Sequence, residues 1–390
     1  MKKEIYNHID KIKEELTTMA DYIFDNPEIG LEEIKSSQAI MSYLEDCGFK
    51  IEKNLAGMKT AFRAVYENKV GGPSIGLLCE YDAIEGMGHA CGHHMQGPAI
   101  VGAAKVIKEN FNDMPYKLVV YGTPAEETIG GKIDMIKEGY FQDIDVALMM
   151  HASPTTTTDV KSLAMSNFNV IFHGTSAHAA LAPEKGRSAL DGLLILFQGI
   201  EFMREHVKED TRMHYTITNA GGPANVIPKR AEAKFSLRSY DRAYLDTVIE
   251  RFKKVVQGAA LMTETIGEVI ITKSLDNKIP VLKLNKVLME NAKELNAPRI
   301  TLPREKTGSS DFGNVMYQVP GSCIRVAFVP VGTSSHSEEY IKAGKSKEAH
   351  EAIIIASKII AASSLDMIKN LDLIKEIKNE FILNKEKKEM

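Results

Sequence analysis

The sequence predicts an α/β fold, a mostly parallel sheet covered on both faces by helices and interrupted by an inserted ferredoxin-like α+β domain. Three observations lead there. Short apolar runs alternate with helical periodicity over most of the chain, as in parallel sheets whose strands are buried on both sides. Between about Leu163 and Thr272 that texture gives way to a β-α-β-β-α-β order. Cysteine, histidine and carboxylate residues recur just after the apolar runs, where open α/β sheets bind ligands.

In chain order, Ile5, Ile9, Ile12, Leu16, Met19 and Ile23 recur at gaps of three and four, which predicts one amphipathic helix stopped at Asn26-Pro27. A second helix runs to Cys47 and ends at Gly48. Ser74–Cys79 then reads as a buried strand leading to Glu80-Tyr81-Asp82, and Lys117–Tyr121 as another leading to Glu126-Glu127. Asp145–Met150 leads to His151, and far downstream Ile324–Val329 precedes the loop that carries His336. The insertion reads as strand Asn167–Phe172, helix Arg187–Val207, strands Tyr215–Thr218 and Ala233–Arg238, helix Tyr244–Met262 and strand Glu268–Thr272. The expected domains are therefore 1–164 with 275–390, and 165–274. The charged tail from Lys375 to Met390 has weak helical spacing and reads as a solvated helix.

A length of 390 residues favours two domains over one core. A hydrophobic fraction of 44% and a charged fraction of 26% describe a water-soluble globular chain. The net charge of −4 offers no basic footprint for nucleic acid or an anionic membrane. No apolar run suits a signal peptide or a bilayer span. The scattered cysteines Cys47, Cys79, Cys91 and Cys323 do not form a disulfide framework, so a reducing cytoplasm is the expected compartment.

The chemistry concentrates in Gly88-His89-Ala90-Cys91-Gly92-His93-His94, which sets a thiol and three imidazoles within seven positions. Pro124-Ala125-Glu126-Glu127 and His151 follow. Thiolate, imidazole and carboxylate at successive strand ends form a donor set for a catalytic transition metal. An adjacent Glu pair lets one carboxylate hold the ion while its neighbour accepts a proton from water. Blander roles exist for each residue alone. Cys91 could be a small buried hydrophobe and the Glu pair a solvated face, although Pro124 and Gly130-Gly131 bracket that pair in a constrained loop. A rival reading makes Cys91 a nucleophile with His93 or His94 as its base. It leaves Glu126, Glu127 and His336 without roles. A third is a non-catalytic metal- or ligand-binding protein of the same fold, which has no need of a second Glu. His89 and Asp82 are expected to support the metal-bound imidazoles from behind. In the insertion, Gly174-Thr175-Ser176-Ala177-His178 and Gly221-Gly222-Pro223-Ala224-Asn225-Val226-Ile227-Pro228 are Gly-bearing turns, each with one notable polar side chain. Arg238 is either a surface charge or a fork for a substrate carboxylate.

The run Glu80-Tyr81-Asp82-Ala83-Ile84, the Gly88-to-His93 segment and Gly122-Thr123-Pro124-Ala125-Glu126-Glu127 together resemble the M20 family of metallopeptidases and amidohydrolases. The match is to the amidohydrolase branch, with its aminoacylase-like and aminobenzoyl-glutamate-hydrolase-like enzymes. It extends over nearly the whole chain, through Asn225-Val226-Ile227-Pro228, Ser310-Asp311-Phe312 and His336. The resemblance implies that Cys91, His93, Glu127, His151 and His336 bind one or two divalent ions (zinc, manganese or cobalt) and that Glu126 is the general base. It implies that the insertion is a dimerisation lid whose His178 polarises the substrate carbonyl, often in the partner subunit's site, while Asn225 and Arg238 hold substrate. The expected activity is hydrolysis of the amide bond of small N-acyl amino acids or dipeptides by metal-activated water, in a homodimer or homotetramer. His94 stands where relatives usually have Asp or Asn, and Glu80 where many have Asp.

Overall fold

The computed structural model describes residues 1–389, which divide into two compact units, 1–161 with 278–389 and 162–277. The first unit opens with α1 (Lys2–Lys11), α2 (Lys13–Asp25) and α3 (Ile34–Asp46). The single N-terminal helix expected from the periodicity is thus two. At Ile12 the backbone opens to φ −96 and ψ 10. The apolar stripe passes through this break, since Ile5, Ile9, Ile12, Leu16 and Ile23 are all buried. Packing of that stripe, rather than an unbroken hydrogen-bond ladder, holds the segment in line. Gly48 ends the turn after α3 at φ 77, and the Phe49 amide donates back to the Leu44 carbonyl.

The sheet is built from β1 (Lys50–Lys53), β2 (Phe62–Asn68), β3 (Ser74–Cys79), β4 (Tyr116–Gly122), β5 (Val146–Ser153), β6 (Thr157–Thr158) and β11 (Gly321–Ala327). Among the described residues its seven strands run in the order β1-β2-β4-β3-β5-β11-β6. The central four are parallel, while β1, β2 and β6 add antiparallel edges. Helices α4 (Gln96–Asn110), α5 (Gly131–Lys137), α8 (Leu282–Glu294), α9 (Phe312–Val315), α10 (Glu338–Ala343), α11 (Lys347–Lys369) and α12 (Leu371–Glu389) complete this unit. The tail is less solvated than its charge suggests, for Ile377 and Phe381 are buried.

Side chains alternate across the sheet with period two. Ile75 and Leu77 of β3, Leu148 and Met150 of β5, and Ile324 and Val326 of β11 enter the larger core with α1, α2, α4, α8 and α11. Leu78, Ala147, Met149 and Cys323 enter a smaller core with Met135, Phe141 and Phe312. Continuing the alternation, Glu80, His151 and Arg325 emerge on the side of the smaller core, at the carboxyl ends of their strands.

The second unit is β7 (Ala164–His173), α6 (Ala189–Arg204), β8 (Arg212–Asn219), β9 (Arg230–Ser239), α7 (Arg242–Thr263) and β10 (Ile266–Leu275). Its antiparallel sheet has the order β10-β7-β9-β8, which is ferredoxin-like topology. Phe252 of α7 packs on Phe168 of β7 and Phe235 of β9 in the core of this unit. No helix among the described residues is long and apolar enough to cross a membrane.

Candidate metal centre

The loops after β3 and β4 and the carboxyl end of β5 supply most of the centre. In the first, Gly92 takes φ 82, and a Cβ there would lie 2.6 Å from the Ala152 side chain. Only glycine fits this turn, which directs Cys91 and His93 to the same side. His93 is buried, and its Nδ1 bonds both the side chain and the carbonyl oxygen of Asp82 at 3.1 Å. That contact places a proton on Nδ1 and turns Nε2 toward the other donors, without a hydrogen-bond partner but with a Glu80 oxygen 3.3 Å away. The other Asp82 oxygen accepts from the Glu127 amide at 2.9 Å, so one carboxylate ties the first loop to the second.

The second loop is held by a group the sequence did not reveal. Ala125 sits in the left-handed region at φ 62, and its amide donates to the fully buried Glu33 at 2.8 Å. Thr60 donates to the other Glu33 oxygen at 2.8 Å. Burial raises the Glu33 pKa to about 7 against these hydrogen bonds. The strained turn presents Glu126 and Glu127 side by side. The Glu127 carboxylate also carries a buried oxygen, Oε1, without a hydrogen-bond partner, 3.3 Å from His336 Nε2.

His151 ends the series. Its Nδ1 bonds the Ala152 carbonyl at 2.8 Å, leaving Nε2 3.7 Å from Cys91 Sγ. His336 arrives from the loop after β11 with φ 62, and its amide donates to the Ala90 carbonyl at 2.9 Å. Two three-residue sets result, Cys91–His93–His151 and Cys91–Glu127–His336, each with ligand atoms within 4.8 Å of one another. They share the Cys91 sulfur. A third set joins His93 to Glu126 and Glu127. Bonds of about 2.0–2.3 Å to nitrogen, oxygen and sulfur place the donors of one ion at such separations. The bare His93 Nε2 and Glu127 Oε1 are buried polar atoms that an ion would satisfy, so these residues fit a divalent transition metal.

Behind the centre lies a charge cluster with no local sequence signature. Lys132 is fully buried and donates to Glu80 at 2.6 Å and to Asp311 at 2.7 Å. Gln96 and Glu80 exchange two further hydrogen bonds, at 2.8 and 3.0 Å. Burial works against the Glu80 charge, but Lys132 and His93 outweigh it and hold its pKa at about 2. Glu126 is affected oppositely. Burial, then the charges of Glu80, Asp311 and Glu127, push its pKa well above the usual carboxylate value.

Two histidines of the motif are not brought to the cluster. His94 Nε2 donates to the Gly344 carbonyl at 2.8 Å, its ring packs edge-on to Phe24, and burial lowers its pKa to about 4. His89 Nε2 lies 3.1 Å from the Ile23 carbonyl, and the ring faces Phe24. Both anchor the loop to α2 and its neighbours. Glu80, the other departure, keeps its carboxylate beside the centre, 3.3 Å from His93 Nε2.

In the second unit, the turns carrying His178 and Asn225 are joined, with Ala179 N donating to Asn225 O and Ile227 N to Ala177 O at 3.0 Å. His178 is exposed, and its Nδ1 accepts from the Ala180 amide. Arg238 is elsewhere. It pairs with Met165 at one end of β7, whereas His173, at the His178 end, pairs with Arg230. Eight residues of β9 separate these ends, roughly 26 Å of strand.

Comparison with known proteins adds the following. Residues 77–361 match the sequence profile of peptidase family M20/M25/M40. An Xaa-Arg dipeptidase of Mus musculus is 31% identical over 98% of this chain and 92% of its own length. A p-aminobenzoyl-glutamate hydrolase polypeptide of Escherichia coli (strain K12) is 29% identical over 97% of this chain and 95% of its own. A Bacillus subtilis M20 peptidase, described as a dinuclear metal binding protein, shares the fold with a TM-score of 0.70 at 19% identity, covering 92% of this chain and 99% of that one.

Proposed function

The chain belongs to peptidase family M20/M25/M40 and is a hydrolase of amide or peptide bonds, and we propose that it cleaves small N-acyl amino acids or dipeptides with Glu126 as general base. One observation carries the metal side of this reading. Two buried donor atoms, His93 Nε2 and Glu127 Oε1, lack hydrogen-bond partners and converge with His151 and His336 on one thiol.

Cys91, His93, Glu127, His151 and His336 would hold one or two divalent ions, with Cys91 shared between the two sets. When bound, a divalent ion supplies Lewis acidity that lowers the pKa of water and polarises a carbonyl. Asp82 keeps His93 in the tautomer that ligates and holds the Glu127 backbone in register with it. Glu126, adjacent to Glu127 yet not needed to complete either set that shares Cys91, takes the proton of the attacking water. It returns that proton to the departing nitrogen as the C–N bond breaks, so a carboxylate and an amine leave. Protein freed of metal and reloaded with zinc, manganese or cobalt is expected to release amine from members of a panel of N-acyl amino acids and dipeptides. Stoichiometric metal with no turnover of any member would instead favour a binding protein.

From the family resemblance we assign carbonyl polarisation to His178 and substrate contacts to Asn225 and Arg238, in a homodimer or homotetramer. The separation along β9 supports the use of two subunits, because a small substrate cannot span from His178 to Arg238 of one copy. His178→Ala should cut turnover about 100-fold or more without changing metal content, the usual cost of losing an oxyanion donor. Mixing inactive His178→Ala with inactive Glu126→Gln should restore part of the activity after subunit exchange. No recovery once exchange is demonstrated rejects action across subunits, and near-normal turnover of His178→Ala rejects the role.

A further inference from the structure

Beside the metal centre, on the same face of the sheet, lies a cationic cluster that the reaction described so far does not use. Arg325 of β11 is the register partner of His151 on β5. Neighbouring strands are about 4.8 Å apart, and register partners in a parallel pair point to the same side. Both residues keep a small opening to solvent in strands that are otherwise buried, with 16% of the Arg325 side chain exposed.

The arrangement of charge there is lopsided. Asp159, only 5% exposed, accepts Arg304 Nε at 2.9 Å on one oxygen. Its other oxygen accepts Arg304 Nη2 at 2.6 Å and Arg325 Nε at 2.7 Å, with Lys278 Nζ 3.7 Å away. One carboxylate thus faces two guanidinium groups. Arg325 uses only Nε in this contact. Among the described residues its two terminal Nη nitrogens have no protein acceptor, and the side chain keeps 16% of its surface open. A near-buried cation with unused donors is unfavourable by itself, and a divalent ion held at neighbouring His151 would add further positive charge. An anion in front of Arg325 removes the imbalance, and a planar fork with two open donors matches a carboxylate.

We propose that Arg325, aimed by its Asp159 anchor and backed by Arg304, binds the free carboxylate of the amino-acid half of the substrate beside the metal ligands. The inference rests on the amidohydrolase reading above and adds to it a determinant of specificity in the first unit. It makes the enzyme selective for substrates that end in an acid, since a carboxamide leaves the guanidinium without its counter-charge.

The test compares an N-acyl amino acid with its carboxamide on metal-loaded enzyme. A bidentate, charge-assisted contact should give the wild type a preference for the acid of about 10- to 100-fold in kcat/KM. Arg325→Gln should erase that preference chiefly by raising KM for the acid, with metal content unchanged and kcat/KM for the carboxamide lowered far less than that for the acid. Arg325→Lys keeps a cation against Asp159 and so protects the fold, and it should lose part of the preference. Calorimetric titration of both ligands into metal-loaded Glu126→Gln protein reads binding without chemistry and should show the same ratio. Equal impairment of acid and carboxamide, an undiminished preference in both Arg325 variants, or loss of the preference in Arg238→Gln instead would overturn the proposal. A wild type that hydrolyses neither compound, yet binds the acid more tightly than the amide, would fault the amidohydrolase reading while sparing the subsite.

Discussion

Glu126→Gln is expected to lower turnover by roughly two to four orders of magnitude while the protein retains its metal, the usual size of a general-base contribution. The substitution is nearly isosteric, and the turn around it is held by contacts that do not involve the Glu126 side chain. Glu33 grips the Ala125 amide and Asp82 the Glu127 amide. The neighbour should behave differently. Glu127 bears the orphaned oxygen that faces His336, so Glu127→Gln removes a donor and should weaken metal binding itself. Metal analysis beside steady-state rates separates the two. A Glu126→Gln protein that loses metal, paired with a Glu127→Gln protein that keeps it, reverses the assignment.

Removal of the metal is expected to abolish activity outright, with recovery on addition of zinc, manganese or cobalt. Stability should fall as well, because any ligand bound only by the folded state stabilises it by mass action. Stripping the ion leaves His93 Nε2 and Glu127 Oε1 buried with only a 3.3 Å ion-pair neighbour each, Glu80 and His336. A drop in Tm on chelation, reversed by the same ion that restores turnover, is the expected pairing. Alkylation should inactivate the stripped enzyme through Cys91 and spare the loaded one. Full activity in chelator, with the ion shown to be gone, would favour the cysteine nucleophile.

Much of this centre was legible in the sequence because strand ends are. An apolar run followed by Glu80, Glu126-Glu127 or His151 announces both the strand and the edge where ligands bind. What stayed hidden has physical reasons. The β1–β2 edge is polar, and its signal is the weak alternation of a half-exposed strand. The break at Ile12 leaves the apolar stripe intact, so periodicity cannot detect it. His93 and His94 are adjacent but successive residues of a tight helical turn point in different directions, one to Asp82 and the other to Gly344. Lys132, Glu33 and Arg325 are single charges whose partners lie far away in sequence. A lone charge reads as solvated until the fold brings its counterpart.

The sheet also dictates a timetable for maturation. β5 and β11 are neighbours, Ala147 beside Gly321, yet the whole second unit is encoded between them. A ribosome working from the N-terminus finishes Cys91, His93, Glu127 and His151 early, while Asp311, Arg325 and His336 emerge last. Until then β5 has no β11 beside it, Lys132 has no Asp311, and the shared thiol is served by one complete set of donors. Long-range parallel pairing is slow to form. Completion of the centre therefore waits for the last strand, because only when β11 has paired with β5 can the segments carrying Asp311 and His336 take their places.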